Sequence, residues 1–332
     1  HVVSPSAFVG AMASTAKQIA EIKDIKLPDG IATLASDAVN RNTADALLEA
    51  GEEGLVIIGA NAQQHPLASR IRAIGQWIAE QTGAALAVLA SANSAAAWVA
   101  GCVPHRGANN GTVDRGMNAG QMLTQGCRAY ILLGTEPELD ALEASAASRA
   151  MHRADFVVQI SAFKSDAVMQ YADVILPMAP FTEAAGTYIN CEGRVQSSTV
   201  AATPKDEARP AWKILRVLGN FLEINGFNYV KAEDVLDEIA LDALHPDARL
   251  SDWRLDHASV ETLGSEGLQR ITDMPMYRGE VTLRHANALQ LTADNPPPSA
   301  HVNPKTIAEM NLSHGQSVLV ANGSGTATLP LR

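Results

Sequence analysis

Polar side chains gather between Glu183 and Gln196, directly after a short apolar run that ends at Pro177. Their types are those that bind polar groups, because carboxylates accept hydrogen bonds, guanidinium groups donate them, and hydroxyl and amide groups do both. We call the following residues the polar segment: Glu183, Gly186, Thr187, Asn190, Glu192, Arg194 and Gln196. This pattern predicts a loop that recognises a polar ligand or partner. A structural ion pair of Arg194 with Glu183 or Glu192 is the alternative.

A second polar stretch spans residues 105–116 and contains three glycines. Glycines permit positive φ and close backbone approach, while Asn109, Asn110 and Asp114 can bind a polar group or cap turns. The stretch therefore predicts either a ligand-binding loop or a loop that satisfies its own backbone.

Other ligand sites have weaker support. Cys102 and His105 have the spacing of a ligand pair, but structural zinc needs four ligands and no second pair is visible. The three cysteines form no Cys-x-x-Cys pair, so we expect no iron–sulfur cluster in this chain alone. The turn after Gly59 lacks the glycine pattern of NAD-binding proteins. We expect no metal site and no catalytic nucleophile.

Composition places the chain among globular proteins of roughly two domains. It has 332 residues, 47% of them hydrophobic, and a net charge of −11. The acidic balance argues against nucleic-acid binding. No apolar run is long enough to span a bilayer, so we expect contact with a membrane only through a partner. The first residues lack the pattern of a signal peptide, which predicts a cytoplasmic location.

The elements that must position these residues alternate along the chain. Helical spacing at 5–24 and 36–50, with Ser36 or Asp37 as a cap, precedes a series of apolar runs of strand length. The predicted strands are 54–59, 85–89, 128–133, 155–160 and 173–176. Because helical patterns lie between them, we predict a doubly wound, mostly parallel α/β sheet. The loops after its strands would form one ligand face.

The carboxy-terminal part shows a different pattern. Helices are predicted at 209–223 and 231–244. Strand signals follow at 281–283, 289–291, 316–320 and 327–330. We predict an α/β domain over 1–225, a helical or irregular connection over 226–279, and a truncated β module, the start of a barrel, over 280–332.

Several segments resemble the molybdopterin oxidoreductase superfamily, above all the large iron–sulfur subunits of NADH-quinone oxidoreductase, the respiratory complex I. The strongest is Phe181-Thr-Glu-x-x-Gly-Thr-x-x-Asn-x-Glu-Gly-Arg-x-Gln196. Further similar segments are 128–140, 163–165, 171–177 and 209–220. The stretch 105–116 resembles a segment of molybdenum-dependent formate dehydrogenases but is shorter by about one residue.

The resemblance implies a molybdopterin-oxidoreductase-like fold in which the polar segment, Asn109, Asn110 and Asp114 are remnants of a cofactor-binding site. It implies a fragment of a subunit whose complex transfers electrons from NADH to quinone and whose iron–sulfur clusters lie elsewhere. This region would be a non-catalytic scaffold without molybdopterin. Its partners would be other subunits of the complex, at the cytoplasmic face of the bacterial inner membrane.

Two alternatives remain open. The chain could be a segment of a genuine molybdopterin enzyme of the formate dehydrogenase or nitrate reductase type, which would contain stoichiometric molybdenum. It could also be a free-standing binder of small molecules, which would be monomeric and stabilised by its ligand.

Overall fold

A computed structural model describes residues 2–35, 41–239, 267–271, 275–322 and 325–332. Among these residues, no helix is long and apolar enough to cross a membrane.

The amino-terminal part is helical, as predicted. Helix α1 (Pro5–Lys23) has proline in its first turn, where the missing N–H costs no hydrogen bond. Helices α2 (Asp29–Ala32) and α3 (Arg41–Ala50) follow. The predicted cap at Ser36 or Asp37 lies outside the described residues.

The first sheet contains two parallel strands, β1 (Leu55–Ile58) and β2 (Ala85–Val88). Helices α4 (Ala60–Gln63) and α5 (Ala68–Thr82) connect them. Side chains of α1, α5 and one face of the sheet form the core of this part of the molecule. Its fully or nearly fully buried members include Ile19, Ile58, Ile71, Ile74 and Ile78.

A longer connection contains α6 (Ser94–Val99) and α7 (Ala119–Gln125) and leads to the second sheet. This sheet has three parallel strands in sequential order: β3 (Ala129–Leu133), β4 (Phe156–Ser161) and β5 (Val174–Pro177). The helices between its strands are α8 (Pro137–Asp140), α9 (Ala144–Arg153) and α10 (Val168–Tyr171). Helix α9 covers one face, where its Met151 packs against Tyr130 and Val157.

The parallel direction of all five strands agrees with the sequence prediction, but the described strands form two sheets rather than one doubly wound sheet. Each sheet also has a partly uncovered apolar face. Ile57 of the first sheet is 55% exposed, and Ile131 and Phe156 of the second are 53% and 46% exposed. Among the described residues, helices α5 and α9 pack against the opposite faces. Several apolar side chains that were predicted to be buried are therefore partly exposed, although Ile160 is fully buried.

The polar segment is mostly a hairpin rather than a loop. Strands β6 (Gly186–Ile189) and β7 (Val195–Ser198) pair in antiparallel orientation. Gly193, with φ of 81°, lies in the turn, where a left-handed conformation favours glycine. Helices α11 (Ala211–Phe221) and α12 (Ala232–Leu236) follow. The helix predicted at 231–244 therefore ends early, at Leu236, and residues 240–244 of the predicted range lie outside the described residues.

In the carboxy-terminal part, the strands predicted at 281–283 and 289–291 are wrong, because these residues lie in helices α13 (Val281–Arg284) and α14 (Asn287–Gln290). The side chain of Glu280 accepts hydrogen bonds from the backbone N–H groups of Thr282 and Leu283, and this cap stabilises a helix start.

Helix α15 (Pro304–Glu309) is followed by an antiparallel pair, β8 (Ser317–Asn322) and β9 (Gly325–Pro330). The two later strand predictions are therefore confirmed in type. The described residues of this region form a hairpin and no closed barrel.

Candidate functional site

Four charged or titratable residues meet at the carboxyl end of β3. We call Glu136, Asp140, Arg284 and His285 the charged cluster. Glu136 is only 3% exposed, and both of its carboxylate oxygens have partners. Nε of Arg284 lies 2.8 Å from Oε2, and Nε2 of His285 lies 3.0 Å from Oε1. The cluster joins the strand end to helix α13, far away in the sequence.

Arg284 is the centre of this cluster. Its Nη1 lies 2.9 Å from Oδ1 of Asp140 and donates to the backbone oxygen of Arg278. Burial opposes the charge of the guanidinium, but the hydrogen bonds with Asp140 and Glu136 outweigh burial, so the pKa of Arg284 lies above its ordinary value. The buried arginine is therefore charged and holds two carboxylates.

The neighbouring strand end, after β4, is covered by the same helix terminus. The ring of Phe163 stacks on the ring of His285 with 4.6 Å between centroids and 3° between planes. Gln159, which is fully buried, donates from Nε2 to the backbone oxygen of Thr135 at 3.0 Å. Side chains of the chain itself thus occupy the region beyond the carboxyl ends of β3 and β4, where α/β proteins bind ligands.

Tyr171 lies beside the cluster and donates its phenolic proton to Oε2 of Glu138 at 3.1 Å. Its pKa is raised above the ordinary value, first by burial and then by the negative charge and hydrogen bond of Glu138. The phenolate is therefore disfavoured in the folded protein.

This shift predicts a pH dependence. Because the folded pKa exceeds the unfolded value of about 10, Tyr171 contributes stability that is complete below pH ~10 and is lost as the pH rises above it. Between pH ~9.5 and ~11, the free energy of unfolding should fall more steeply in the unchanged chain than in Tyr171→Phe, as measured by urea denaturation. The control Tyr188→Phe, which removes a hydroxyl from the hairpin, should keep the original slope; equal slopes for all three would contradict the prediction.

The polar segment uses many of its polar groups within the hairpin. Oδ1 of Asn190 accepts from the backbone N–H groups of Glu192 and Arg194, at 3.0 and 2.9 Å, and closes the turn. The hydroxyl of Thr187 lies 3.0 Å from that of Ser197 on the opposite strand. These contacts are those of a self-supporting turn.

The remaining members of the segment lie at the edges of the hairpin. Glu183 accepts from the backbone N–H of Lys205 at 3.2 Å. Gly186 pairs with Ser198 and Gln196 with Tyr188 in the strand register. Of the ion pairs among the described residues, none involves Arg194, so the predicted ion pair with Glu183 or Glu192 is wrong. The guanidinium and Glu192 are exposed to solvent, where an ion pair stabilises little.

The hairpin is positioned by the loop after β2, because Oδ1 of Asn93 accepts from the backbone N–H of Ile189 at 3.0 Å. The polar segment therefore packs near the first sheet, while the charged cluster lies at the second.

The stretch 105–116 forms a compact loop. Asn109 and Asn110 lie in a short 3-10 helix, and Asn109 adopts φ of 56°. Nδ2 of Asn109 donates to the backbone oxygen of Glu238 at 2.8 Å. Asp114 is exposed. Gly107 donates to the backbone oxygen of Gly111, so the loop satisfies part of its own backbone, as the structural alternative predicted.

Cys102, Cys127 and Cys191 are free thiols. In the part of the chain that the structure describes, no three His, Cys, Asp or Glu side chains are placed to hold a metal ion.

Parallel strands with intervening helices, and polar groups beyond the strand ends, define an α/β domain of the kind that places ligand sites at strand ends. The family model of molybdopterin oxidoreductases matches residues 5–221, which is more than half of the chain. The chain therefore belongs to the molybdopterin oxidoreductase family.

Individual relatives match shorter stretches. The chain is 44% identical over 68 residues to the protein named "NADH-ubiquinone oxidoreductase 78 kDa subunit, mitochondrial" of Candida albicans. It is 30% identical over 137 residues to a protein of Staphylococcus aureus named "Putative formate dehydrogenase". These matches cover 20% and 41% of this chain but only 9% and 13% of the two relatives.

The charged cluster was not found from the sequence. Thr135-Glu136 directly follows a predicted strand, which was a usable signal for a polar site. Its partners Arg284 and His285 lie in a segment that was predicted to begin as a strand, and no local spacing links them to Glu136.

Proposed function

We propose that this chain is a cofactor-free scaffold region of the large iron–sulfur subunit of NADH-quinone oxidoreductase. The observation that carries the proposal is the charged cluster, in which Arg284 and His285 cover Glu136 at the carboxyl end of β3. The side chains of Phe163, Arg284 and His285 lie beyond the carboxyl ends of β3 and β4, the region in which α/β proteins bind ligands.

The chemistry of these residues does not fit a pterin dinucleotide. Its pyrophosphate is anionic and requires free backbone N–H groups or unpaired cations. At this strand end the buried group is the carboxylate of Glu136, and Arg284 already binds two carboxylates. An anion placed here would meet the carboxylate of Glu136. Nη2 of Arg284 has no hydrogen-bond partner among the described residues, but it is buried.

The uncovered sheet faces support a scaffold role. Ile57, Ile131 and Phe156 are about half exposed although they are apolar residues of the parallel strands. Exposed apolar surface of this kind is typical of protein interaction sites. We infer that other parts of the subunit and other subunits of the complex cover these faces.

In this proposal the chain transfers no electrons itself. The parent complex passes electrons from NADH to quinone through iron–sulfur clusters outside this chain. The chain would lie at the cytoplasmic face of the bacterial inner membrane and contact the membrane only through the complex.

The first test is the molybdenum and pterin content of the full-length subunit, measured by metal analysis and pterin fluorescence. We expect neither in stoichiometric amounts. One molybdenum atom per subunit would overturn the proposal.

A second test addresses the uncovered faces. The double substitution Ile131→Ser and Phe156→Ser should reduce the amount of assembled complex on native gels and lower NADH-dependent quinone reduction by about tenfold, because burying two hydroxyl groups in an apolar interface is costly. The control Leu142→Ser changes a leucine that is 88% exposed and lies outside the sheets. Full assembly of the double variant would contradict the assignment of this face as an interface.

A genuine molybdopterin-dependent oxidoreductase is the second candidate. It is favoured by the longer match, 137 residues, to the protein named as a formate dehydrogenase. In that case the segment with Arg284 and His285 would have to leave the strand end when the cofactor binds, and molybdenum would copurify with the protein.

A further inference from the structure

A groove of about 380 Å³ lies between α7 and α9, beside the amino-terminal ends of β3 and β4. It is thus at the opposite end of the sheet from the charged cluster. Three arginines and one aspartate contribute to its lining: Arg128, Arg149, Arg153 and Asp155. The groove is positive, although the whole chain has a net charge of −11.

Two of these arginines lack partners. Arg149 and Arg153 are four residues apart on α9, a spacing that places both side chains on one face of the helix. Both are exposed, and among the described residues neither makes an ion pair or a side-chain hydrogen bond. Arg128 already pairs with Asp155 at 2.8 Å. The free positive charge is therefore concentrated on the α9 wall.

The α7 wall is held in place by hydrogen bonds of Tyr130. The hydroxyl of Tyr130 donates to the backbone oxygen of Met122 and accepts from the backbone N–H of Cys127, both at 2.8 Å. The backbone N–H of Gly126 also binds the oxygen of Met122. These two N–H groups are therefore engaged, whereas the carbonyl groups of Leu123, Thr124 and Gln125, at the end of α7, lack intrahelical partners.

We propose that the groove binds an acidic segment of a partner polypeptide. Carboxylates of the segment would pair with Arg149 and Arg153, and its backbone N–H groups would donate to the carbonyl oxygens at the end of α7. A phosphate has no N–H group to donate and would face those carbonyls, so a small inorganic anion fits less well. The inference rests on the proposed scaffold function in one respect, because it takes the partner polypeptide to be another subunit of the complex.

The test uses the 332-residue chain and a fluorescein-labelled peptide of alternating glutamate and glycine, with binding measured by fluorescence anisotropy. We expect binding that weakens as salt is added. The double variant Arg149→Gln/Arg153→Gln should bind about tenfold more weakly. The control Lys17→Gln/Arg115→Gln removes the same charge from exposed positions outside the groove and should bind like the unchanged chain.

Equal weakening in both double variants would overturn the groove as the site, because net charge alone would then explain binding. If pyrophosphate displaced the labelled peptide at lower concentrations than the unlabelled peptide does, the proposal that the ligand is a polypeptide would be wrong. Absence of peptide binding to the unchanged chain would overturn the proposal as a whole. The molybdenum content of the subunit does not depend on peptide binding. The two measurements therefore distinguish an error in the proposed scaffold function from an error in the proposed peptide site.

Discussion

Replacing Arg284 with methionine should lower the free energy of unfolding by about 3–5 kcal/mol. Methionine keeps much of the apolar stem of the side chain but removes the charge, so Glu136, which is almost fully buried, is left without its strongest partner. The same change also removes the guanidinium partner of Asp140, which keeps its hydrogen bonds with the hydroxyl of Thr135 and the backbone N–H of Glu136. Urea denaturation of the full chain, followed by tryptophan fluorescence, measures the difference.

The matched control is Arg128→Met, because Arg128 also pairs with a carboxylate at 2.8 Å but its side chain is 93% exposed. It should cost less than about 1 kcal/mol. The double variant Glu136→Gln/Arg284→Met should recover much of the lost stability, because it removes the buried unpaired charge. If Arg284→Met and Arg128→Met lowered the free energy of unfolding by similar amounts, burial would not determine how much the charged cluster stabilises the fold.

The second large loss of stability is expected in the core that α1 and α5 form with the first sheet. Ile74→Ala should destabilise the chain by about 2–5 kcal/mol, because Ile74 is completely buried and the substitution leaves a cavity. Ile74→Val removes one methyl group and should cost about 0.5–1.5 kcal/mol. Urea denaturation again provides the measurement.

The control for this series is Ile57→Ala, on the partly exposed face of the sheet formed by β1 and β2, where the side chain is 55% exposed. In the isolated chain it should cost clearly less than Ile74→Ala, because less surface is removed from the core. If Ile57→Ala were as costly as Ile74→Ala, the face assigned as uncovered would have to be buried in solution.

The sequence predicted the parallel strands well, because runs such as Leu55–Ile58 are apolar at every position. It did not predict that one face of each sheet would contain half-exposed side chains such as Ile57 and Ile131. A strand that is apolar at every position indicates that both faces of its sheet are buried in the complete assembly. The sequence does not indicate whether the surface that buries them belongs to the same chain.

The candidate site was predicted less completely. A ligand site at the polar segment stays a prediction. The hairpin of this segment was not recognised, because Thr187-Tyr-Ile and Val195-Gln-Ser are short and separated by a polar turn. The strand assignment at 281–283 followed the β-propensity of Val-Thr-Leu, whereas the Glu280 cap favours a helix. The charged cluster depends on a contact across 148 residues, which a single sequence cannot reveal.

That separation has a consequence for synthesis of the protein. Glu136 leaves the ribosome 148 residues before Arg284, and at about 5–20 residues per second its partner arrives roughly 7–30 seconds later. Until then the carboxylate must stay hydrated, so the end of β3 cannot close while the chain is still short. Protease cleavage of ribosome-bound chains stalled before and well after residue 284 would reveal this order, with the strand end protected only in the longer chains. The last third of the polypeptide thus sets when the middle third finishes folding.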